Sequence, residues 1–80
     1  MSRYTLTDYF AYNVLRRRPY IQLDWCVRAI EQPIRIAQQR DGRTRFWCAI
    51  PEMDGRYLRV VTLADRVTIH NAFFDRGFKP

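Results

Sequence analysis

Residues 44–63, TRFWCAIPEMDGRYLRVVTL, decide how this chain is read. Phe46, Cys48 and Ile50 alternate with Arg45, Trp47 and Ala49, and after a Pro51 to Gly55 loop Leu58, Val60 and Thr62 alternate with Tyr57, Arg59 and Val61. A period of two means that successive side chains point to opposite faces of a strand, so this is a pair of half-buried strands joined by a turn. Working outward, Asp41-Gly42 marks a turn before it and Ala64-Asp65-Arg66 one after it. These turns predict four consecutive antiparallel strands, at 34–39, 44–50, 57–63 and 67–73.

Upstream of Pro33 the period is helical. Thr5 or Thr7 with Asp8 offers a capping start, followed by Leu6, Phe10, Asn13, Val14 and Arg17 at three- and four-residue steps. Pro19 disfavours helical geometry in the residue before it, which stops the first helix near Arg18. A second helix is expected from Gln22 to Glu31, with Leu23, Cys26, Val27 and Ile30 as its apolar face and Asp24 and Arg28 as a four-spaced ion pair. The expectation is therefore an α+β fold: two N-terminal helices packed on one face of a four-stranded antiparallel β-meander, with the other face left open. Asp75 to Pro80 reads as a turn or bulge after the last strand.

At 80 residues, residues 1–80 make a single small domain with no room for a second core. The hydrophobic fraction of 48%, with 15% aromatic, supplies an ordinary core and argues against disorder. A formal charge of +6 invites anionic partners and excludes an acidic mimic. Lys79 is the only lysine among the 14 basic groups, and the rest are arginines, suited to bidentate phosphate contacts. A genome rich in arginine codons would give the same bias. Cys26 and Cys48 fit buried free thiols of a cytoplasmic protein. One histidine and no Cys-x-x-Cys pair argue against a metal site, no cofactor motif is present, and no apolar run reaches the ~20 residues of a membrane span.

Alternation puts Arg35, Arg45, Trp47, Tyr57, Arg59, Val61, Thr68 and His70 on the face away from the helices. Guanidinium groups interleaved with rings are what RNA binding needs, since arginine neutralises phosphate while Trp and Tyr stack on unpaired bases. The same residues equally suit a solvated sheet face held by Arg–Trp and Arg–Tyr cross-strand pairs. His70 has the pKa range for a general acid, Arg45 and Arg59 could stabilise charge on a pentacoordinate phosphorus, and Glu52, Asp54 and Asp75 are candidate bases. Asp75-Arg76 follows the last strand most directly. The Arg16-Arg17-Arg18 run complements a helix C-terminus or docks RNA or a partner protein.

The stretches Arg17-Arg18-Pro19-Tyr20-Ile21, Ala29-Ile30-Glu31-Gln32-Pro33, Gly55-Arg56-Tyr57-Leu58-Arg59-Val60-Val61 and Thr68-Ile69-His70-Asn71-Ala72 resemble small RelE-like and BrnT-like toxins of the barnase–colicin–RelE-type nuclease group. The resemblance covers most of residues 10 to 74. It implies a toxin of a toxin–antitoxin system, a metal-independent endoribonuclease acting on RNA through the exposed sheet face and neutralised by an acidic antitoxin. Arg59 and His70 lie in matching strands and carry the implied catalytic roles best. Relatives often place a histidine in the first helix, where this chain has Ala11, Tyr12 and Asn13, a departure that leaves open a member that binds without cleaving. On this reading Arg59, His70, Arg45 and Asp75 are catalytic, while Arg35, Trp47, Tyr57 and Arg76 bind RNA. The alternative is a non-catalytic interaction module that binds RNA or an acidic protein segment. A structural subunit stabilised as a homodimer is the third reading.

Overall fold

Thr7 starts the first helix, as its position before Asp8 suggested: its Oγ1 accepts from the Phe10 N–H at 3.1 Å. In the computed structural model, which describes residues 3–80, the helix that follows (α1, 8–17) opens into a π-helical turn over Phe10–Val14 before closing as Leu15–Arg17. The widened turn carries the i to i+5 bond from the Leu15 N–H to the Phe10 carbonyl, and Phe10 and Val14 at its two ends are both buried. Arg18, before Pro19, leaves helical geometry at φ −126° and ψ 63°.

The second helix (α2, Leu23–Glu31) turns Trp25, Cys26 and Ala29 into the core. This face is rotated from the one predicted, because Leu23 lies exposed and Trp25 takes the buried place that volume and area favour. The expected Asp24–Arg28 pair also gives way. Arg28 reaches across to Glu52 instead, donating to both carboxylate oxygens at 3.0 Å in a bidentate pair.

The strands are β1 (Thr5–Leu6), β2 (Arg35–Gln38), β3 (Thr44–Ile50), β4 (Arg56–Thr62) and β5 (Thr68–Phe74), hydrogen-bonded in the order β1-β5-β4-β3-β2. The four-stranded antiparallel meander expected from the turns is thus corrected to a five-stranded mixed sheet. The β2 to β5 pairings are antiparallel as expected, but β1 adds a parallel strand beside β5, with Thr5 N–H to the Val67 carbonyl and Thr7 N–H to the Ile69 carbonyl both at 3.0 Å. Two residues are too few to show a period, and so Thr5 and Leu6 read as a helix start. The turn before β3 needs Gly42, whose φ of 91° would strain any side chain.

Phe46, Cys48, Ile50, Leu58, Val60, Ile69 and Ala72 from the sheet meet Phe10, Val14, Trp25, Cys26 and Ala29 from the helices in one core. Ile34 and Ile36, expected to face the helices, remain 53% and 46% exposed because β2 is the edge strand and the helices lie over β3, β4 and β5. Among the described residues no helix is long and apolar enough to cross a membrane.

Candidate nucleic-acid interface

Register fixes the far face of the sheet. Arg45 lies opposite Val61, Trp47 opposite Arg59, and Ala49 opposite Tyr57, while Arg59 and Val61 lie opposite Phe73 and Asn71 of β5. The face is not open, because residues 75–80 fold back over it. Asp75 N–H bonds to the Tyr57 carbonyl at 2.9 Å, and the chain then carries Phe78 onto Trp47 with ring centroids 5.0 Å apart and 15° between planes. Trp47, expected as an accessible stacking platform, is left only 6% exposed.

Asp75 is the hub of this cover. Its Oδ2 accepts from Trp47 Nε1 at 3.0 Å and lies 3.5 Å from Arg59, and its Oδ1 accepts from the Gly77 N–H at 3.1 Å. The Trp47 N–H above all, helped by the Gly77 N–H and the Arg59 charge, holds the Asp75 carboxyl below the ordinary carboxylate range against the opposing effect of burial. Arg59 sits between rings, its guanidinium 4.9 Å from the Phe73 centroid and 5.8 Å from that of Trp47. Arg35 lies 5.0 Å over Phe78 and donates to the Lys79 carbonyl at 3.2 Å. Tyr57 meets Phe78 edge-on at 5.1 Å.

The remaining residues expected at the site lie apart from this cluster. Arg45 points along the sheet to Gln39, whose amide oxygen, once oriented to satisfy both, accepts from Nε at 3.0 Å and a terminal nitrogen at 2.9 Å. His70 is the bulged residue of β5, between Ile69, opposite Thr62, and Asn71, opposite Val61. Its Nδ1 is 3.1 Å from Thr7 Oγ1 and its ring is 5.1 Å from that of Tyr9, so it packs at the β1 edge. Burial first, then the Arg43 charge, lowers its pKa and favours the neutral ring. Asp75 lies just past the end of β5 among Trp47, Tyr57 and Arg59, whereas His70 sits at the bulge against Thr7 and Tyr9, so the two share no neighbour among these contacts. A base and an acid serving one phosphodiester must both reach oxygens on the same phosphorus, and the sheet does not bring these two together. Glu52, a candidate base, is held by Arg28 at about 2, well below the ordinary carboxylate range.

Sequence reasoning missed the concave feature beside the cover. A groove of about 630 Å³ runs between the loop after α1, the β3–β4 loop and the end of β5. Arg18, Arg56 and Arg76 line it together with Tyr20, Tyr57, Phe73, Phe74 and Phe78 and with Asp54, Gly55 and Asp75. None of the three arginines has a carboxylate partner among the described residues, whereas Asp75 is already engaged by Trp47 and Arg59. A signal for it was present: each arginine stands in or beside a turn and close to a ring, as Arg18-Pro19-Tyr20, Gly55-Arg56-Tyr57 and Arg76-Gly77-Phe78. Among the described residues no three His, Cys, Asp or Glu side chains are grouped so as to hold a metal ion.

Comparison with family models, curated proteins and solved structures gives no match to this chain, and nothing in it identifies a RelE-like or BrnT-like toxin.

Proposed function

We propose that this domain is an RNA-binding module that holds single-stranded RNA in the arginine–aromatic groove and does not cleave it. The observation that carries the reading is the convergence of Arg18, Arg56 and Arg76, none of them in an ion pair among the described residues, in a groove lined also by rings and by Asp54 and Asp75. Guanidinium groups fit phosphate oxygens bidentately, and rings between them offer stacking surfaces to bases that are unpaired. A net charge of +6 adds long-range attraction for the same polyanion. A purely acidic peptide would use the arginines but leave the rings without a purpose, which favours nucleic acid. Cleavage is the weaker reading, since Asp75 is engaged by Trp47 and Arg59 past the end of β5 while His70 packs against Thr7 and Tyr9 near its start. The free thiols Cys26 and Cys48 suit a reducing compartment, and we place the protein in the cytoplasm.

Fluorescence anisotropy with a short labelled single-stranded RNA at low salt tests the reading. Arg56→Ala and Arg76→Ala should each weaken binding by about 5- to 10-fold, the loss of roughly one phosphate contact. Binding of an acidic peptide with no binding of RNA would move the assignment to protein recognition.

A further inference from the structure

The slot that holds Phe78 has three walls of different chemistry. Trp47 stacks on the ring, Tyr57 meets it at 62° with centroids 5.1 Å apart, and Arg35 sets its cation 5.0 Å from the ring centroid. An unpaired nucleobase suits these contacts, since it is a flat π system that stacks on indole and accepts a guanidinium over its ring. We propose that this slot is a nucleobase site, closed in this structure by Phe78 acting in place of a base. The proposal rests on the RNA-binding reading of the groove. It goes beyond that reading by naming a second contact and the way the protein's own chain controls it.

The placement of Phe78 makes the two sites continuous. Phe78 lies in the slot and also lines the groove, beside Arg76 and Tyr57. A strand whose phosphates meet Arg56 and Arg76 therefore carries its next base to the position of the Phe78 ring. The cover is also lightly held past Asp75. Arg76, Gly77, Lys79 and Pro80 are exposed, and past the Asp75 turn, which includes the Phe78 N–H bond to the Asp75 carbonyl at 3.4 Å, the contacts among the described residues that tie the segment down are those of the Phe78 ring and the Arg35 bond to the Lys79 carbonyl. Phe78 lies outside the core made by the helices and the inner sheet face, so the ring can leave without unfolding the domain.

A ligand that needs the open form binds more weakly by the fraction of molecules that are open, so a slot closed about nine times in ten reduces affinity about 10-fold. The test titrates the wild-type chain, Phe78→Ala and Phe78→Leu against a short labelled single-stranded RNA, and against the same strand with abasic nucleotides. Both variants should bind the RNA about 10-fold more tightly than wild type and show no gain on the abasic strand. Wild-type binding that neither variant improves overturns the slot and leaves the groove standing. An equal gain on the abasic strand also overturns it, because the freed contact would then be to the backbone. Failure of all three proteins to bind either strand overturns the RNA reading itself, and the slot with it.

Discussion

Replacing Asp75 by alanine should loosen the cover without dissolving the core. The carboxylate accepts from Trp47 Nε1 at 3.0 Å and from the Gly77 N–H at 3.1 Å, and it lies 3.5 Å from Arg59 with side chains only 22% and 17% exposed. A hydrogen bond to a charged group contributes about 1.5–3 kcal/mol, and the partly exposed ion pair adds about 0.2–1 kcal/mol. The backbone bond at Gly77 adds little once the segment is free to hydrate. Asp75→Ala should therefore cost about 2–4 kcal/mol, a large fraction of the roughly 5–15 kcal/mol that holds a domain together. Urea denaturation followed by circular dichroism gives the loss. Near-ultraviolet dichroism of the indole should change under native conditions, since Trp47 loses both its acceptor and its stacked neighbour. The pH dependence has a definite sign: a carboxyl whose folded pKa is depressed contributes its full stability above its unfolded pKa of about 3.9 and loses it as pH falls through the folded value. The variant should consequently show a shallower acid limb than wild type. A cost below about 0.5 kcal/mol, or an unchanged acid limb, would refute the role of Asp75 as the hub.

Other expectations are narrower. Glu52→Gln should flatten acid destabilisation between the ordinary carboxylate value of 4.5 and about 2, because Arg28 depresses Glu52 to that level in the fold; thermal melts at neutral and acid pH compare the two proteins. Phe10→Ala, at the fully buried start of the π-helical turn, should cost about 3–5 kcal/mol in chemical denaturation. Burial pushes the Cys26 thiol up to about 12, so a thiol reagent at mildly alkaline pH should label it at the rate of unfolding and rapidly only in denaturant.

The elements that carried strong local signals were legible. Alternation from Phe46 to Ile50 and from Leu58 to Thr62, punctuated by Gly42 and Gly55, located β3, β4 and their turns, and Pro19 and Pro33 bounded the helices. What escaped depends on contacts between distant residues. Alternation in β2 says which side chains share a face but not that β2 is an edge, so Ile34 and Ile36 read as core. The bulge at His70 breaks the period of two where the histidine would otherwise have been placed by counting from Ile69. Trp47 reads as exposed by alternation, yet a segment about thirty residues later in the chain buries it. The groove draws Arg18, Arg56 and Arg76 from three separate places in the chain, each in or beside a turn, and no spacing along the chain announces that they meet.

The most direct measurement of RNA binding through the groove is the salt dependence of affinity for single-stranded RNA, taken with the wild-type chain and with Arg18→Ala/Arg56→Ala/Arg76→Ala together. Each phosphate neutralised on a single strand contributes about −0.7 to the slope of log K against log salt, so the three arginines account for about −2. The triple variant should bind far more weakly and its slope should be less steep by about that amount. A triple variant that keeps the wild-type affinity and slope would contradict the groove as the site of RNA binding.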